Sequence, residues 1–200
     1  MAKNRQPIAK RCRTLGISPA VMGYDKKTSV RNPRGNMRRR KSEYSIQLTE
    51  KQKVKFIYGI LEKQFRSYYE KAEKAQGKTG EVLLSLIERR LDNVVFRLGL
   101  AASRREARQL VSHAHFTVNG KKVNIASYLV KVGDVIAVRE KSRDISKFKA
   151  IANGDVVYCN APKWLKKDEP LFGGTVIALP QRDDIDFPVE EHLIVELYSK

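Results

Sequence analysis

Cysteine is close to absent from this 200-residue chain. Cys12 and Cys159 are the two, far apart in sequence. They make neither a disulfide framework nor a zinc cluster, and they point to a reducing cytoplasm. Long apolar runs are missing as well. No stretch approaches the ~20 apolar residues that a membrane span needs, so no membrane partner is expected. The first residues, MAKNRQPIAKRCR, lack an apolar core, so no secretory signal is expected. No glycine-rich loop is followed by Lys and Ser/Thr, and no Gly-x-Ser-x-Gly elbow occurs. No nucleophile stands beside a base, and an enzyme is not expected. His113 and His115 have neither a nearby Cys nor an acid at ligand spacing. Asp183, Asp184 and Asp186 fit an acidic surface loop better than a hard-metal site. The sequence therefore predicts no metal and no cofactor.

Acidic residues are scarce where the chain begins and abundant where it ends. Residues 1–41 hold 13 Lys and Arg against one acid, Asp25. Residues 168–200 hold 8 acids against Arg182 and Lys200. The whole carries +18. That excess calls for a polyanionic partner, with nucleic acid the first candidate. The asymmetry calls for two kinds of partner surface. Hydrophobic content of 42% is enough for a real core.

Arg90 to Val123 organises the rest. Leu91, Val94, Val95 and Leu98 fall at helical spacing, and Gly99 suits a left-handed cap. Ser103 with Glu106 is a capping-box pattern, so a helix is predicted to begin near Arg104. Ala107, Leu110 and Val111 then face inward. Arg104, Arg105 and Arg108 lie three or four apart and share an outward face. Phe116 to Val118 is strand-like, and Asn119-Gly120 is a strong hairpin pattern that brings Lys121 and Lys122 after it. Guanidinium forks match phosphate in two-point contacts. A charged helix face is as often merely solvated.

The remainder is predicted in order. Residues 1–41 bury too little to fold alone and form a basic arm that orders on a polyanion. Thr49 with Gln52 opens a helix carrying Val54, Ile57, Leu61, Phe65, Tyr68 and Ala72. Gly59 interrupts or splits it, and Gly77 and Gly80 end it. The aromatics here are core rather than base-stacking. A further helix runs from about Glu81 to Leu98. Val123, Ile125, Leu129, Val130 and Val132 are short strand pieces, Lys131 to Asp134 a turn, and Val135 to Val138 a buried strand. Arg139 to Lys149 is a basic run on a short helix. Trp164 and Thr175–Leu179 are strand candidates. His192 to Tyr198 alternates and is predicted to close the chain as a strand.

RLDNVVFRLGLAASRREARQLVSHAHFTVNGKKVNIASYLVKVGD closely resembles the small RNA-binding module named after ribosomal protein S-four. SEYSIQLTEKQKVKFIYGILEKQFRSYYEKA and the closing EEHLIVELYSK resemble the bacterial or organellar S-four ribosomal family itself. The resemblance covers 42–145 and 189–200 strongly and the arm loosely. It implies an α+β fold: a basic arm (1–43), a helical domain (44–90, with return of about 179–200), and an RNA-binding domain of two helices on an antiparallel sheet (91–178). It implies a structural constituent of the small ribosomal subunit that binds the 5′ domain of its rRNA early and nucleates assembly. It also implies a seat near the mRNA entrance, with a part in accuracy, beside small-subunit proteins five and three.

Carried over by position, Arg104, Arg105, Arg108, Gln109, Ser112, His113, Lys121 and Lys122 match the family's rRNA-facing residues. Arg39, Arg40 and Lys41 match the basic residues at the mRNA entrance. Asp183, Asp184, Asp186, Glu190 and Glu191 suit contact with a basic neighbouring protein. Some members hold zinc with four cysteines in the arm. Only Cys12 lies there in this chain, which implies a zinc-free form. Asn32-Pro33-Arg34-Gly35-Asn36 stands where many members carry Pro-Gly-Gln-His-Gly. Residues 150–180 match less well and receive no role.

Two alternatives stand beside this. Arg90-Leu91-Asp92 resembles the Arg-Leu-Asp around the catalytic Asp of pseudouridine synthases, but Asn93-Val94-Val95-Phe96 follows instead of the enzyme pattern. A free RNA chaperone or translational regulator is the other.

Overall fold

The structure is a computed structural model, and it describes residues 7–24, 42–168, 170 and 172–199. Two hydrophobic cores form, one among helices and one between helices and a sheet.

The helical core begins before the expected helical domain. Helix α1 (Ile8–Leu15) ends at Gly16, whose φ of 67° is the left-handed cap geometry that glycine adopts without strain. A 3-10 turn (Pro19–Met22) follows. Cys12, Leu15 and Met22 are buried in the same core as Val54, Phe65 and Ile87. Residues 7–24 of the expected arm are thus packed against the body, because their few apolar residues converge on one existing surface.

Helix α2 (Glu43–Tyr58) starts seven residues earlier than Thr49 predicts. Ser42 is the true cap, its hydroxyl accepting from the Ser45 N–H at 3.3 Å. Thr49 lies inside the helix and donates to the Ser45 carbonyl at 2.7 Å. Gly59 (φ 62°) ends α2 and does split the predicted helix. Helix α3 (Glu62–Glu73) buries Phe65, Tyr68, Tyr69 and Ala72, so the aromatics are core, as predicted. Gly80 does not end a segment. It sits in helix α4 (Thr79–Glu88), where it lets another helix approach.

The expected helix from Glu81 to Leu98 is broken at Arg89–Arg90. Arg90 is extended (ψ 136°), and α5 (Leu91–Arg97) starts after it. The cause is lateral: Arg90 bridges Leu129, the Leu91 N–H donates to the Tyr128 carbonyl, and the Val130 N–H donates to the Arg89 carbonyl. Neither Gly nor Pro marks the break. Gly99 (φ 81°) is left-handed, as its place after the last apolar residue predicts.

Helix α6 (Arg104–Ser112) leads into β1 (Phe116–Val118) and β2 (Lys121–Val123). Asn119 and Gly120 both have positive φ, 50° and 75°, which a type I′ turn requires. β3 (Val135–Val138) follows, then helices α7 (Glu140–Arg143) and α8 (Ser146–Ala152) on the basic run, then β4 (Leu165–Lys167) and β5 (Gly173–Val176). Trp164 is buried just before β4, and β5 begins two residues ahead of the predicted Thr175. The sheet order is β2-β1-β3-β5-β4, antiparallel throughout. Its inner residues, among them Phe116, Val118, Ile136, Val138 and Val176, face Leu91, Val95, Ala107 and Val111 in one core. This is the α+β class with helices on an antiparallel sheet that the resemblance implied.

The chain closes in a helix, α9 (Glu191–Ser199), not the predicted strand. Ile194 is buried, and Val195 and Tyr198 pack against the helical core. Residues 193 and 197, and 194 and 198, are spaced four apart, so one helical face serves as well as one strand face. The chain returns to α2 and α4, which offer helices to pack on and no sheet edge. A Cβ on Gly80 would lie 2.7 Å from Glu191 Cγ and 2.9 Å from its Cβ. Gly80→Val is therefore expected to push α9 off α4 and cost about 1–3 kcal/mol. Urea unfolding checks this, and unchanged stability would refute the tight α4–α9 contact. Among the described residues no helix is long and apolar enough to cross a membrane.

Candidate nucleic-acid interface

Helix α6 is set by its cap. Ser103 Oγ accepts from the Glu106 N–H at 3.3 Å, and Glu106 Oε2 accepts from the Ala102 N–H at 2.8 Å. With the start fixed, every side chain on α6 has a determined direction.

The three arginines do not share an outward face. Arg104 is only 6% exposed. Its Nε donates to Asn93 Oδ1 at 2.8 Å and its Nη1 to the Val21 carbonyl at 3.0 Å. The guanidinium lies 4.5 Å from the Phe96 ring centroid and 5.0 Å from that of Tyr58, a cation–π arrangement. Arg108 is half-buried. Its Nε donates to Asp92 Oδ2 at 2.8 Å, Nη1 to the Gly59 carbonyl at 2.6 Å and Nη2 to the Tyr58 carbonyl at 2.8 Å. Those carbonyls close α2, where orphan acceptors and the helix dipole favour a cation. Arg104 and Arg108 thus clamp α6 to the helical core. Spacing on the helix does not reveal this, because the carbonyls that hold the two guanidiniums come from 49 to 83 residues away.

What remains outward on α6 is Arg105, Gln109 and His113, with Ser112 half-buried beside them. Lys121 and Lys122 are exposed on the hairpin. Arg105, Gln109, Ser112 and the C-cap residue His113, with Arg104 and Arg108, line one side of a cavity of about 390 Å³. Met22 and Phe56 to Gly59 line the other. The cavity therefore lies where the two cores meet. His115 points away from it, with Nδ1 3.0 Å from Ser142 Oγ. Burial, then His113 and Arg139, hold its pKa below the usual range, so it is neutral at pH 7.

Sequence reasoning missed the polar network beneath α6. Glu88 is fully buried and meets Tyr58 Oη, Asn93 Nδ2 and Arg97 Nη2, the last at 2.8 Å. Arg97 also donates to Asp186 at 2.8 and 3.1 Å. Burial opposes the charge on Arg97, and Glu88 and Asp186 outweigh it and raise its pKa. Burial likewise pushes up Asp186, and the Arg97 bonds overcome that and lower it. Burial, reinforced by Glu88, pushes the Tyr58 phenol well up, so it stays a donor. Acid and base nine residues apart on neighbouring helices were the available clue.

The acidic residues divide. Asp186 is committed to Arg97, Glu191 to Arg182 at 3.1 Å, and Asp184 to the Gln181 N–H at 2.8 Å. Asp183 and Glu190 face outward. Arg39, Arg40 and Lys41 lie outside the described residues. Among the described residues no three His, Cys, Asp or Glu converge as metal ligands. Cys12 is buried, which raises its thiol against the pull of Arg105.

Residues 89–136 match the family described as "S4 domain", and residues 3–88 match "Ribosomal protein S4/S9 N-terminal domain". The chain is 55% identical over 203 residues to a protein of Lachnospira eligens named "Small ribosomal subunit protein uS4". It is 50% identical over 200 residues to the protein of that name from Fusobacterium nucleatum, and 56% over 209 residues to that from Caldicellulosiruptor bescii. Each match covers 100% of both chains. A helical core, a sheet-backed module and a basic helix at their junction agree with those matches, and the chain belongs to the small ribosomal subunit protein uS4 family.

Proposed function

We propose that the chain binds the 5′ domain of small-subunit rRNA at the junction of its two cores and so nucleates subunit assembly. Family membership makes it a structural, non-enzymatic part of the small ribosomal subunit in the cytoplasm. The observation that carries the finer reading is the cavity with α6 along one wall. Arg104 and Arg108 fix α6 there, and Arg105, Gln109, Ser112 and His113 form its rim. Lys121 and Lys122 add phosphate contacts from the hairpin. The two cores support the division into 44–90 with 179–200, and 91–178. The basic segment 1–43 is the arm, of which 7–24 packs on the first core.

Arg39, Arg40 and Lys41 are assigned to the mRNA entrance on the resemblance of the flanking SEY motif alone. Asp183 and Glu190 are the acidic residues left to meet basic neighbours such as small-subunit proteins five and three. Asp184, Asp186 and Glu191 act first within the chain.

Recognition rests on phosphates, 2′-hydroxyls and unstacked bases, because the deep groove of A-form RNA excludes side chains. Binding to a 5′-domain rRNA fragment, against an unrelated structured RNA of equal length, tests the reading across a salt titration. Selective binding far tighter than the ~10⁻⁴ to 10⁻⁶ M of non-specific contacts is expected. Equal weak binding of both RNAs would overturn it. Replacing Lys121 and Lys122 by Ala is expected to reduce the salt slope by roughly 0.7–0.9 per lysine, with little change in selectivity. An unchanged slope would remove the hairpin from the interface.

A further inference from the structure

The two hairpin lysines stand on opposite sides of the sheet. β2 pairs with β1 so that Lys121 lies opposite Val118 and Lys122 opposite Thr117. Cross-strand partners share a face, and successive residues alternate between faces. Val118 is buried in the core beneath α5 and α6. Lys121 therefore stands on the side where α6 lies, and Lys122 on the reverse side.

The reverse side can be followed strand by strand. Thr117 lies opposite Ala137, and Ala137 opposite Gly173. Val135 lies opposite Thr175, and Thr175 opposite Lys166. The residues that alternate with these, Val118, Ile136, Val176 and Leu165, are buried on the helix side. Lys122 and Lys166 are exposed and Val135 is 43% exposed, so the reverse face is open. Gly173 adds no side chain to it, since a Cβ there would lie 2.2 Å from the Ile136 carbonyl oxygen. Lys122 is on β2 and Lys166 on β4, the two edge strands. Four strand spacings separate them, about 19 Å. Asp168 stands at one corner, beside Gly173. Edge lysines also hinder strand pairing between molecules. That purpose leaves the middle free to carry large or acidic side chains, and it carries Thr, Ala, Gly and Val.

A flat face with short side chains and a positive charge at each edge fits an RNA helix. Single strands are gripped by stacking bases on aromatic side chains, and none of these residues is aromatic. The minor groove of A-form RNA is wide and shallow and displays 2′-hydroxyls. Short side chains let such a groove approach closely, and the edge lysines meet the phosphates on its two rims. The Thr117 hydroxyl donates to the Ala137 carbonyl at 3.2 Å and keeps its lone pairs for a 2′-hydroxyl. We infer that the reverse face of the sheet is a second RNA surface, which seats the minor groove of one rRNA helix while α6 and Lys121 hold RNA on the other side. This rests on the rRNA reading above. It gives the module two grips, and it gives residues 166 to 175 a role.

The test uses the full chain with the 5′-domain rRNA fragment. Lys166→Ala is expected to reduce the salt slope by roughly 0.7–0.9. Lys63→Ala, which removes an exposed lysine of α3, should leave the slope unchanged. Val135→Trp keeps every charge and spoils the flat face. It is expected to weaken binding roughly tenfold at an unchanged slope, the worth of one or two hydrogen bonds. Circular dichroism and the thermal midpoint report whether each variant is folded, and Thr175→Trp repeats the block from the next strand. A hydroxyl-radical source tethered to Thr175→Cys, in a Cys159→Ser background with Cys12 buried, is expected to cut both strands of one helical segment. Cuts confined to unpaired loops, or none, with wild-type selectivity intact would overturn the second surface and leave the rRNA reading standing. An equal loss of slope in Lys63→Ala and Lys166→Ala would make Lys166 part of a generic attraction and also overturn it. Equal weak binding of the wild type to the rRNA fragment and to an unrelated RNA would overturn both.

Discussion

Glu88→Ala is expected to destabilise the protein by about 3–5 kcal/mol, the cost of removing one partner from a buried ion pair. Glu88 is 0% exposed. Its carboxylate receives Tyr58 Oη, Asn93 Nδ2 and both Nε and Nη2 of Arg97. Deleting it strands three sets of buried donors in a low-dielectric interior, where unpaired groups are costly. Among the described residues Arg97 would keep Asp186 alone, whose side chain is 49% exposed. Asp186→Ala is expected to cost about 1 kcal/mol or less, since water screens that pair. Against a total stability of roughly 5–15 kcal/mol, the Glu88 variant should be largely unfolded or close to it. Urea denaturation of both variants makes the comparison. Equal losses would show that the network is not anchored at Glu88.

This network bears on what the residue order discloses. Ser103 with Glu106, and Asn119 with Gly120, were legible because both motifs close within a few residues. Their hydrogen bonds form whatever else the chain does. Thr49 with Gln52 has the same pattern and misled, because Ser42 caps the helix first and Thr49 then bonds back to Ser45. The break at Arg90 was illegible: its cause is pairing with residues 126–130, a partner no local window contains. The same holds for α9, whose apolar spacing fits two periods until the helices it meets decide. Arg104 and Arg108 are the sharpest case. Their spacing places them correctly on α6, but spacing cannot report that the carbonyls of Val21, Tyr58 and Gly59 wait there. Charge alone read them as free for phosphate, and the fold uses them to hold two cores together. Arg105, Gln109 and His113, one step around the helix, keep the outward direction.

Asp92→Ala is expected to cost about as much as Glu88→Ala, and for a reason that decides between two readings of the same tripeptide. Asp92 is buried between two arginines. It accepts from Arg90 Nε at 3.1 Å and Nη2 at 2.9 Å, from Arg108 Nε at 2.8 Å, and from the Asn93 N–H at 3.0 Å. Arg90, itself buried, would be left with Tyr68 Oη as its side-chain partner. Among the described residues Arg108 would lose its one acidic partner and hold α6 to α2 through the Gly59 and Tyr58 carbonyls. A catalytic carboxylate must reach a substrate atom, and every lone-pair direction of this one is already taken within the chain. The resemblance of Arg90-Leu91-Asp92 to a pseudouridine-synthase motif therefore has a structural explanation. Asp92→Asn keeps the shape and removes the charge, so it should destabilise less than Ala while still loosening α6. Loosening α6 moves the rim of the junction cavity but removes no exposed cation. RNA affinity is then expected to fall several-fold with the salt slope unchanged, because the slope counts neutralised phosphates and not geometry. Arg108→Ala should behave in the same way, which separates a clamp from a phosphate contact. A slope reduced by about one in Arg108→Ala would return that residue to the RNA-contact list. An Asp92→Asn variant of wild-type stability and affinity, whose wild-type parent converts uridine in the rRNA fragment while the variant does not, would restore the enzyme reading.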